Sequence, residues 1–505
     1  MSRLEEMKEK YLELVKRIRR YHEAVALLQW DLRTGMPRKG AQSRAELIAD
    51  LSTEAFRLST SSEMEGLLQF FDASSEAGEG AFSAMLRESR REFERSRKIP
   101  QEDFQAFMVL VSQSEVAWEK ARQSADFALF SPFLDRVVSF SRQFADLWRE
   151  GKGSRYDALL DQYEPGMTTG QLDPMFALLR RELVPFVQEV LDASEAADRS
   201  ARLIGDYEIE RQREANRRLL EQIGYDFSAG RLDESAHPFT VGFNRGDVRV
   251  TTRYDRRDLR VSLFSSLHEG GHAIYEQNIA PEFSGTPLWD GASLGVHESQ
   301  SRFWENVVGR GRDFWEGQYA WLQQLFASAL GDCSLEQFYQ GINHVSRSLI
   351  RVEADELTYN LHIMLRYEVE KGLMDGGIEV RDLPLVWREK MQEYIGVSPE
   401  NDAEGVLQDV HWSDGSFGYF PTYTLGNIYA AQLTAAMRAQ RPSLDAQIRQ
   451  GNLAPAREWM TQQIHRHGRL LLPQELMRQA SGSALDLSCL LVYLKEKYRE
   501  LYLRG

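Results

Sequence analysis

The sequence has 505 residues, of which 42% are hydrophobic, and a formal net charge of −15, as is typical of a soluble globular protein that buries a large core. The acidic balance disfavours a general attraction to phosphate backbones or anionic lipid, so we expect no nucleic acid and no membrane as a partner. Its two cysteines, Cys333 and Cys489, lie far apart and predict neither a disulfide framework nor a cysteine zinc site, which favours a cytoplasmic location.

Helical periodicity dominates the chain. Leu, Phe, Trp and Val recur every three or four positions in segments near 3–30, 44–60, 80–98, 101–124, 131–151, 170–222, 350–373, 424–440 and 484–503. Helix breaks are predicted where Pro, Gly and Ser gather, at 36–40, 73–80, 100, 163–167 and 284–287. No linker or repeat divides the chain, and no stretch is typical of a signal peptide or a membrane span. We therefore predict a mainly α fold in a single domain of residues 1–505.

One stretch departs from the helical pattern. Residues 239–254, FTVGFNRGDVRVTTRY, alternate β-forming residues and are interrupted by Asn244-Arg245-Gly246, which predicts a short β-hairpin. A strand of this kind could pair with an extended peptide in a cleft, or it could be a small structural ribbon. The sequence leaves both interpretations open.

The helical segment after the hairpin contains the pattern His268-Glu269-Gly270-Gly271-His272. Two imidazoles four positions apart lie on one helical face and can bind one zinc ion, and the glutamate between them points at the metal-bound water. We therefore predict a metal-dependent hydrolase, with His268 and His272 as ligands and Glu269 as the catalytic base. The glycine pair predicts a place where something approaches closely. The alternative is a core helix with two hydrogen-bonded histidines.

A catalytic zinc needs a third protein ligand and an open position for water. Tyr275 and Asn278 stand where a third histidine of a longer motif would be expected, so we expect a carboxylate from a following helix. Glu298 is the best candidate, although a glutamate at this point could equally be a surface or salt-bridged residue. His297 is a competing ligand, but neighbours on a helix point about 100° apart, so both residues cannot easily bind one metal ion.

Six short motifs together point to one family. They are His237-Pro238-Phe239, Asp247-x-Arg249-x-Thr251, His268-Glu269-Gly270-Gly271-His272, His297-Glu298-Ser299-Gln300, Ile350-Arg351-Val352-Glu353-Ala354-Asp355 and Gly405-x-x-Gln408-Asp409-x-His411-Trp412. Because all six motifs are present and occur in this order, the chain resembles the carboxypeptidase Taq family of metallocarboxypeptidases. The stretches around Trp30-Asp31 and at 419–427 also look like this family.

The resemblance implies a large multi-helix domain with two lobes around a deep groove, as in neurolysin-like peptidases, with the metal and substrate motifs in residues 237–427. It implies a metal site of His268, His272 and Glu298 that uses zinc, with cobalt as a substitute. It also implies a homodimer that removes C-terminal residues with broad specificity from peptides with a free C-terminus. An oligopeptidase of the same fold and a non-catalytic peptide-binding scaffold are the alternatives.

Two catalytic groups are expected in addition to the metal site. The tetrahedral intermediate of peptide hydrolysis carries an oxyanion that hydrogen-bond donors stabilise, and within the family motifs His411 and Tyr423 are the candidates. Gln408 and Asp409 could orient the ring of His411. Tyr423 could equally be a core tyrosine whose hydroxyl is hydrogen-bonded.

An enzyme that acts at a free C-terminus must bind a carboxylate, which arginine recognises through paired hydrogen bonds. Arg351 is the leading candidate and Arg249 the second. The alternative for Arg351, which we predict to lie in a helix rich in acidic residues, is an ion pair within that helix. His237 and Tyr419 are further substrate-binding candidates, and His237 could also be a turn residue before Pro238.

Overall fold

The computed structural model describes residues 2–73, 80–195 and 199–503. These residues form a mainly helical fold with one small sheet, as predicted. In chain order the elements are α1 (Arg3–Thr34), α2 (Ala41–Ser59), α3 (Ser62–Ala73), α4 (Ala81–Lys98), α5 (Gln101–Ser124), α6 (Ser131–Arg149), α7 (Arg155–Leu160), α8 (Thr169–Ser194), α9 (Ile209–Ile223), β1 (Leu232–Glu234), β2 (Thr240–Asn244), β3 (Asp247–Thr252), α10 (Leu259–Gln277), α11 (Leu294–Arg302), α12 (Arg312–Leu325), α13 (Ala327–Leu330), α14 (Leu335–Ile342), α15 (Tyr359–Asp375), α16 (Leu383–Tyr394), α17 (Pro421–Gln440), α18 (Leu444–Arg449), α19 (Ala454–Gln463), α20 (Pro473–Ser481) and α21 (Leu487–Tyr502). None of these helices is long and apolar enough to cross a membrane. The helix break predicted at 73–80 falls mostly on 74–79, outside the described residues.

The segment of helical periodicity near 170–222 contains two helices, α8 and α9, and the break between them is not predicted. Between α8 and α9, the backbone N–H groups of Gly205 and Tyr207 donate to the carbonyl oxygens of Arg257 and Arg256, at 3.0 and 2.8 Å. These bonds hold the chain beside the segment that leads into α10. A long-range backbone pairing therefore interrupts a pattern that local periodicity predicts to be helical throughout.

The helix predicted over 350–373 begins only at Tyr359. Arg351–Glu353 form a separate 3-10 turn, and the Asp355 carboxylate accepts hydrogen bonds from the backbone N–H groups of Leu357 and Thr358, each at 3.0 Å. An aspartate that bonds to backbone N–H groups in this way competes with helical hydrogen bonding and favours a later helix start. Arg351 therefore lies ahead of α15 and not on a helix face.

The hairpin predicted at 239–254 is present. β2 and β3 are antiparallel, and residues 245–246 connect them. A third strand, β1, pairs in parallel with β3 and gives the sheet order β1-β3-β2. The sequence does not predict β1, because a strand of three residues is too short to show an alternating pattern. β3 packs against α10, and its Val248 and Val250 are fully buried, so the sheet supports the helix of the metal motif.

Glycines allow the helices around the motif to approach closely. A Cβ atom at Gly270 would collide with side chains of α9, and one at Gly271 would lie 2.5 Å from the carbonyl oxygen of Gln300 in α11. At Gly426 in α17, a Cβ atom would lie 2.4 Å from the Cγ atom of Glu298. The close approach predicted at the glycine pair is therefore made by neighbouring helices, and α11 is held between α10 and α17.

Replacing Gly271 with alanine is expected to lower the free energy of unfolding by roughly 1–3 kcal/mol, because the added methyl group overpacks a tight helix contact. Gly66→Ala in α3 is the matched control, since no heavy atom lies within 4 Å of the added Cβ there. Removing this glycine from a helix interior is expected to stabilise the protein by about 0.5–1 kcal/mol. Urea unfolding measures both variants, and equal midpoints would contradict the packing argument.

Candidate metal centre

Three metal-ligating side chains converge between α10 and α11. His268 and His272 lie in α10 and Glu298 lies in α11. The Nε2 atoms of His268 and His272 are 3.7 and 3.5 Å from the Oε2 atom of Glu298. Ligand atoms bonded tetrahedrally to zinc at ~2.0–2.1 Å lie about 3.3–3.4 Å apart. The donor set and its spacing therefore fit a divalent metal ion of this kind.

Glu298 is held in place by its own helix. Its Oε1 atom accepts a hydrogen bond from Arg302 Nε at 2.6 Å, and its Oε2 atom accepts one from the Ser301 hydroxyl at 3.2 Å. Burial alone would raise the pKa of Glu298, but the charge of Arg302, the nearby His268 and a hydrogen bond with His272 outweigh burial and hold this pKa well below its usual range. The carboxylate is therefore charged, which is the form that binds a metal ion.

A second carboxylate orients His268. Glu305 lies in the π-helical turn Phe303–Val308, which continues α11, and its Oε2 atom is 2.9 Å from His268 Nδ1. With Nδ1 bonded to Glu305, the Nε2 atom is left for the metal. Burial would lower the pKa of His268, but the carboxylates of Glu298 and Glu305 outweigh burial and raise it. The sequence indicates Glu305 only through its helical spacing from Glu298.

His297 contacts His272 on the side away from Glu298. The two Nδ1 atoms are 2.6 Å apart, and His297 Nε2 is 3.2 Å from Glu276 Oε1. Burial is the main cause that lowers the pKa of His272 to about 3, so the ring is neutral and can bind a metal. The structure does not bring His297 into the group of converging ligand atoms, and it therefore does not support the alternative in which His297 is a ligand.

Glu269 lies beside the three ligands and is hydrogen-bonded by the sheet. Its side chain is buried, and the Thr240 hydroxyl in β2 is 2.8 Å from its Oε2 atom and 2.9 Å from its carbonyl oxygen. Burial raises the pKa of Glu269, as is expected of a carboxylate that acts as a base near neutral pH. The sequence does not single out Thr240, since its only signal is a place in the predicted hairpin.

Arg351 is buried in an ion pair with a distant aspartate. Its Nε and Nη2 atoms donate to Asp409 Oδ1 at 3.0 and 2.8 Å, and Arg366 Nε donates to Asp409 Oδ2 at 2.6 Å. Burial would raise the pKa of Asp409, but Arg351 and Arg366 hold it well below its usual range. The alternative of an ion pair within one helix is wrong, because the partner of Arg351 comes from a loop between α16 and α17.

A short chain of contacts joins Arg351 to the metal ligands. Arg302, which bonds to Glu298, holds its guanidinium group 4.4 Å from the ring centre of Tyr359. The Tyr359 hydroxyl accepts a hydrogen bond from Arg351 Nη1 at 3.1 Å. The structure therefore brings the predicted carboxylate-binding arginine to the same site as the predicted metal ligands.

The remaining candidates of the C-terminal motifs gather around Arg351. The ring of His411 lies 5.2 Å from that of Tyr419 and 6.5 Å from that of Tyr423, and the guanidinium group of Arg351 lies 5.0 Å from the ring centre of Tyr423. Burial is the main cause that lowers the pKa of His411 to about 4, and its Nδ1 atom is buried without a hydrogen-bond partner.

The predicted orientation of His411 by Gln408 and Asp409 is wrong. Asp409 bonds to the two arginines. Gln408 accepts from Arg366 Nη2 at 3.0 Å, and its amide donates to the carbonyl oxygens of Leu349 and Glu404. The polar pair therefore stabilises the arginine cluster, and the His411 ring is positioned by its aromatic neighbours.

Arg249 and His237 lie apart from this group. Arg249 donates two hydrogen bonds to Asp247, both at 2.8 Å, and its guanidinium group lies 4.4 Å from the ring centre of Trp30 and 5.0 Å from that of Phe243. His237 is exposed between β1 and β2. Among the described residues, no hydrogen bond, ion pair or ring contact joins either side chain to the metal ligands or to Arg351.

The chain is similar to known metallopeptidases along its whole length. The family model described as carboxypeptidase Taq (M32) metallopeptidase matches residues 10–498. Carboxypeptidase 1 of Bacillus subtilis is 45% identical over 98% of both chains, and thermostable carboxypeptidase 1 of Thermus thermophilus is 42% identical over 94% of this chain and 95% of that protein. The crystal structure of the M32 carboxypeptidase from Deinococcus radiodurans R1 has a TM-score of 0.95 and 37% identity, and covers 99% of this chain and 100% of its own.

Replacing Asp409 with asparagine leaves the buried guanidinium groups of Arg351 and Arg366 without a counter-charge. Removing one partner of a buried ion pair costs roughly 3–5 kcal/mol, so we expect a loss of that size in the free energy of unfolding at pH 7. Asp445→Asn is the control, because Asp445 pairs with Arg438 at the surface and a pair of this kind contributes about 0–1 kcal/mol. Equal urea midpoints for the two variants would contradict the structural role of Asp409.

Proposed function

The chain belongs to the carboxypeptidase Taq (M32) family of metallopeptidases and is a metallocarboxypeptidase, and from this premise we propose that it is a zinc enzyme that removes C-terminal residues from peptides with broad specificity. The observation that carries this proposal is the convergence of His268, His272 and Glu298 with a linked arginine at one site. A metal centre acts on the scissile carbonyl, and an arginine beside it can bind the free carboxylate of the last residue.

We propose that His268 Nε2, His272 Nε2 and Glu298 Oε2 hold the metal ion. When bound, zinc lowers the pKa of water towards ~7 and polarises the carbonyl group of the substrate. Two imidazoles and one carboxylate are a common ligand set for this ion in catalytic sites, and cobalt has similar ligand preferences. The hydrogen bond from Arg302 to Glu298 Oε1 keeps the other carboxylate oxygen turned towards the histidines.

Glu269 is the proposed general base. It takes a proton from the attacking water and later delivers that proton to the leaving amine, an effect typically worth about 10²–10⁴ in rate. Its burial supports this role, since burial raises its pKa towards neutrality. Thr240 fixes one oxygen of the carboxylate, which leaves the other oxygen for the water.

His411 and Tyr423 are the proposed donors to the oxyanion of the tetrahedral intermediate. Burial is the first cause that raises the pKa of Tyr423 well above its usual value, so its hydroxyl group keeps its proton. The lowered pKa of His411 keeps the imidazole neutral near pH 7, and a neutral imidazole still has one N–H group to donate. Both side chains lie beside Arg351.

Arg351 is the proposed binding residue for the substrate carboxylate. Of the five N–H groups of its guanidinium, two bond to Asp409 and one to Tyr359, which leaves one N–H on each terminal nitrogen. Two parallel N–H groups suit a carboxylate. Arg351 and Arg366 share the single carboxylate of Asp409, so one positive charge is left for an anionic ligand.

Three further residues complete the proposed substrate contacts. Tyr419 packs beside His411 and Tyr423 and borders the same site. His237 precedes β2, whose Thr240 reaches Glu269, and we propose that it contacts the substrate backbone. Arg249 is the second choice for the carboxylate, because Asp247 already occupies two of its N–H groups.

The remaining proposals concern the whole protein. We propose one peptidase domain over residues 1–505, a homodimer and a cytoplasmic location. Peptides with a free C-terminus are the proposed substrates, and neither nucleic acid nor a membrane is a proposed partner. The net charge of −15 and the two distant cysteines support the location and the absence of a polyanionic partner.

Timed product analysis on an unmodified peptide tests the function. The wild-type protein is expected to release single amino acids from the C-terminus, and a chelator is expected to stop the release. Glu269→Gln is expected to keep its metal content and lose at least about 10²-fold in kcat, because the amide cannot accept the proton. Internal fragments in place of single residues would favour the oligopeptidase alternative, and substantial turnover by Glu269→Gln would contradict the role of Glu269.

Arg351→Lys tests carboxylate recognition. Lysine keeps a positive charge beside Asp409 but loses the paired N–H groups, so kcat/KM for a free-acid peptide is expected to fall about 10–100-fold, a loss of ~1.4–2.8 kcal/mol in transition-state binding. The slow cleavage of the same peptide with an amidated C-terminus is expected to stay unchanged.

The controls for Arg351→Lys separate the two arginines. Arg381→Lys changes an exposed arginine and is expected to have no effect. If Arg249→Lys and not Arg351→Lys causes the loss that is specific to the free acid, the carboxylate site belongs to Arg249. Equal damage to free-acid and amidated peptides by Arg351→Lys would contradict its role.

A further inference from the structure

We propose that His297 and Glu276 are positioning residues that hold His272 in the form that binds the metal. The three residues, here called the relay, run from His272 through His297 to Glu276. The proposal rests on the metal site proposed above and adds two residues behind it. Neither of them is among the metal ligands or the substrate contacts proposed above.

The relay is a continuous hydrogen-bonded chain. His272 Nδ1 lies 2.6 Å from His297 Nδ1, and His297 Nε2 lies 3.2 Å from Glu276 Oε1. The rings of His272 and His297 are 4.7 Å apart between centres and inclined by 43°. The side chains of His297 and Glu276 are each only 14% exposed, so water does not readily replace these bonds.

The positions of the protons follow from the ligand role of His272. Its Nε2 atom must offer a lone pair to the metal, so its proton is on Nδ1. This N–H donates to His297 Nδ1, which must therefore be the acceptor nitrogen of a neutral imidazole. The remaining proton of His297 is then on Nε2 and donates to the Glu276 carboxylate. One arrangement of protons satisfies all three residues and leaves His272 Nε2 available.

The surrounding chain leaves just enough space for the relay. A Cβ atom at Gly242 in β2 would lie 1.6 Å from Glu276 Oε2, and one at Gly291 would lie 2.6 Å from a ring carbon of His297. The ring of Tyr275 packs 5.1 Å from that of His297. Gly242 thus leaves room for Glu276, while Gly291 and the ring of Tyr275 border the second imidazole.

The two metal-binding histidines are supported differently. His268 bonds directly to a carboxylate, Glu305, which also lies 3.4 Å from both Arg302 and Arg310. His272 reaches its carboxylate, Glu276, only through a second imidazole. Within the described residues, no arginine or lysine pairs with Glu276. A partner that accepts from the Nδ1–H of a ligand histidine fixes its tautomer and raises its basicity, and loss of such a partner typically weakens metal binding about 10–100-fold.

The experiment measures metal binding separately from catalysis. His297→Ala, Glu276→Gln and the wild type are titrated with Zn²⁺ in competition with a chromophoric chelator, and the visible spectrum of each Co²⁺-loaded protein is recorded. We expect the Kd for Zn²⁺ to rise about 10–100-fold in His297→Ala and by a smaller factor in Glu276→Gln, with a shift of the Co²⁺ bands in both. Glu282→Gln, an exposed change in the 3-10 turn that follows α10, is expected to match the wild type.

A conservative variant separates positioning from packing. In His297→Gln, the side-chain carbonyl can accept from His272 Nδ1–H, so the Kd for Zn²⁺ is expected to return to within about tenfold of the wild type. Glu276→Gln is nearly isosteric and decides the question if His297→Ala fails to fold. Thermal midpoints of the metal-free proteins identify that failure.

Distinct results overturn distinct proposals. Wild-type Zn²⁺ affinity and unchanged Co²⁺ bands in both His297→Ala and Glu276→Gln would overturn the relay. A wild-type protein that does not bind Zn²⁺ would overturn the proposed metal site and the relay with it. A wild-type protein that binds Zn²⁺ tightly but releases no amino acids would overturn the proposed function while the relay is still judged by its Kd values.

Discussion

The packing of α11 between α10 and α17 is the constraint on which the metal centre depends. Gly271 and Gly426 bring both neighbouring helices against the backbone and side chain of α11, so Glu298 has little freedom to move. Its distances to the two histidines, 3.5 and 3.7 Å, follow from this close contact. A bulkier helix interface would separate the carboxylate from the histidines even if all three ligands were present, so the site is a property of the helix packing as much as of the motif.

The buried charges of the metal site and of its surroundings are paired and lie close to one another. A buried charge is tolerated only when it is paired, and here Glu298 pairs with Arg302 while Asp409 pairs with both Arg351 and Arg366. Tyr359 lies between the two sets of charges. Glu298 lies at the metal end and the excess positive charge of Arg351 and Arg366 lies at the other end, which gives the site a polarity from the metal ligands to the arginines.

Local features were predictable from the sequence, and long-range partners were not. His268 and His272 share a helix face because of their spacing, and the hairpin before them has a local turn signal, so both predictions agree with the structure. The sequence predicts Arg351 on a helix, with an ion pair inside that helix as the alternative to substrate binding. Arg351 instead precedes α15 and pairs with Asp409, 58 residues further along the chain. Thr240 and His297 act on neighbouring elements, and no spacing rule links residues that meet only after the helices pack.

The π-helical turn Phe303–Val308 makes the position of Glu305 depend on the number of residues in the turn. Such a turn contains one residue more than an α-helix would use over the same rise, and each residue in an α-helix rotates the following side chain by about 100°. A deletion of one residue between 303 and 305 would leave Glu298 in place but turn the carboxylate of Glu305 away from His268. The number of residues in this stretch therefore matters as much as their type, and we expect that insertions or deletions that a surface loop would accept are not neutral here.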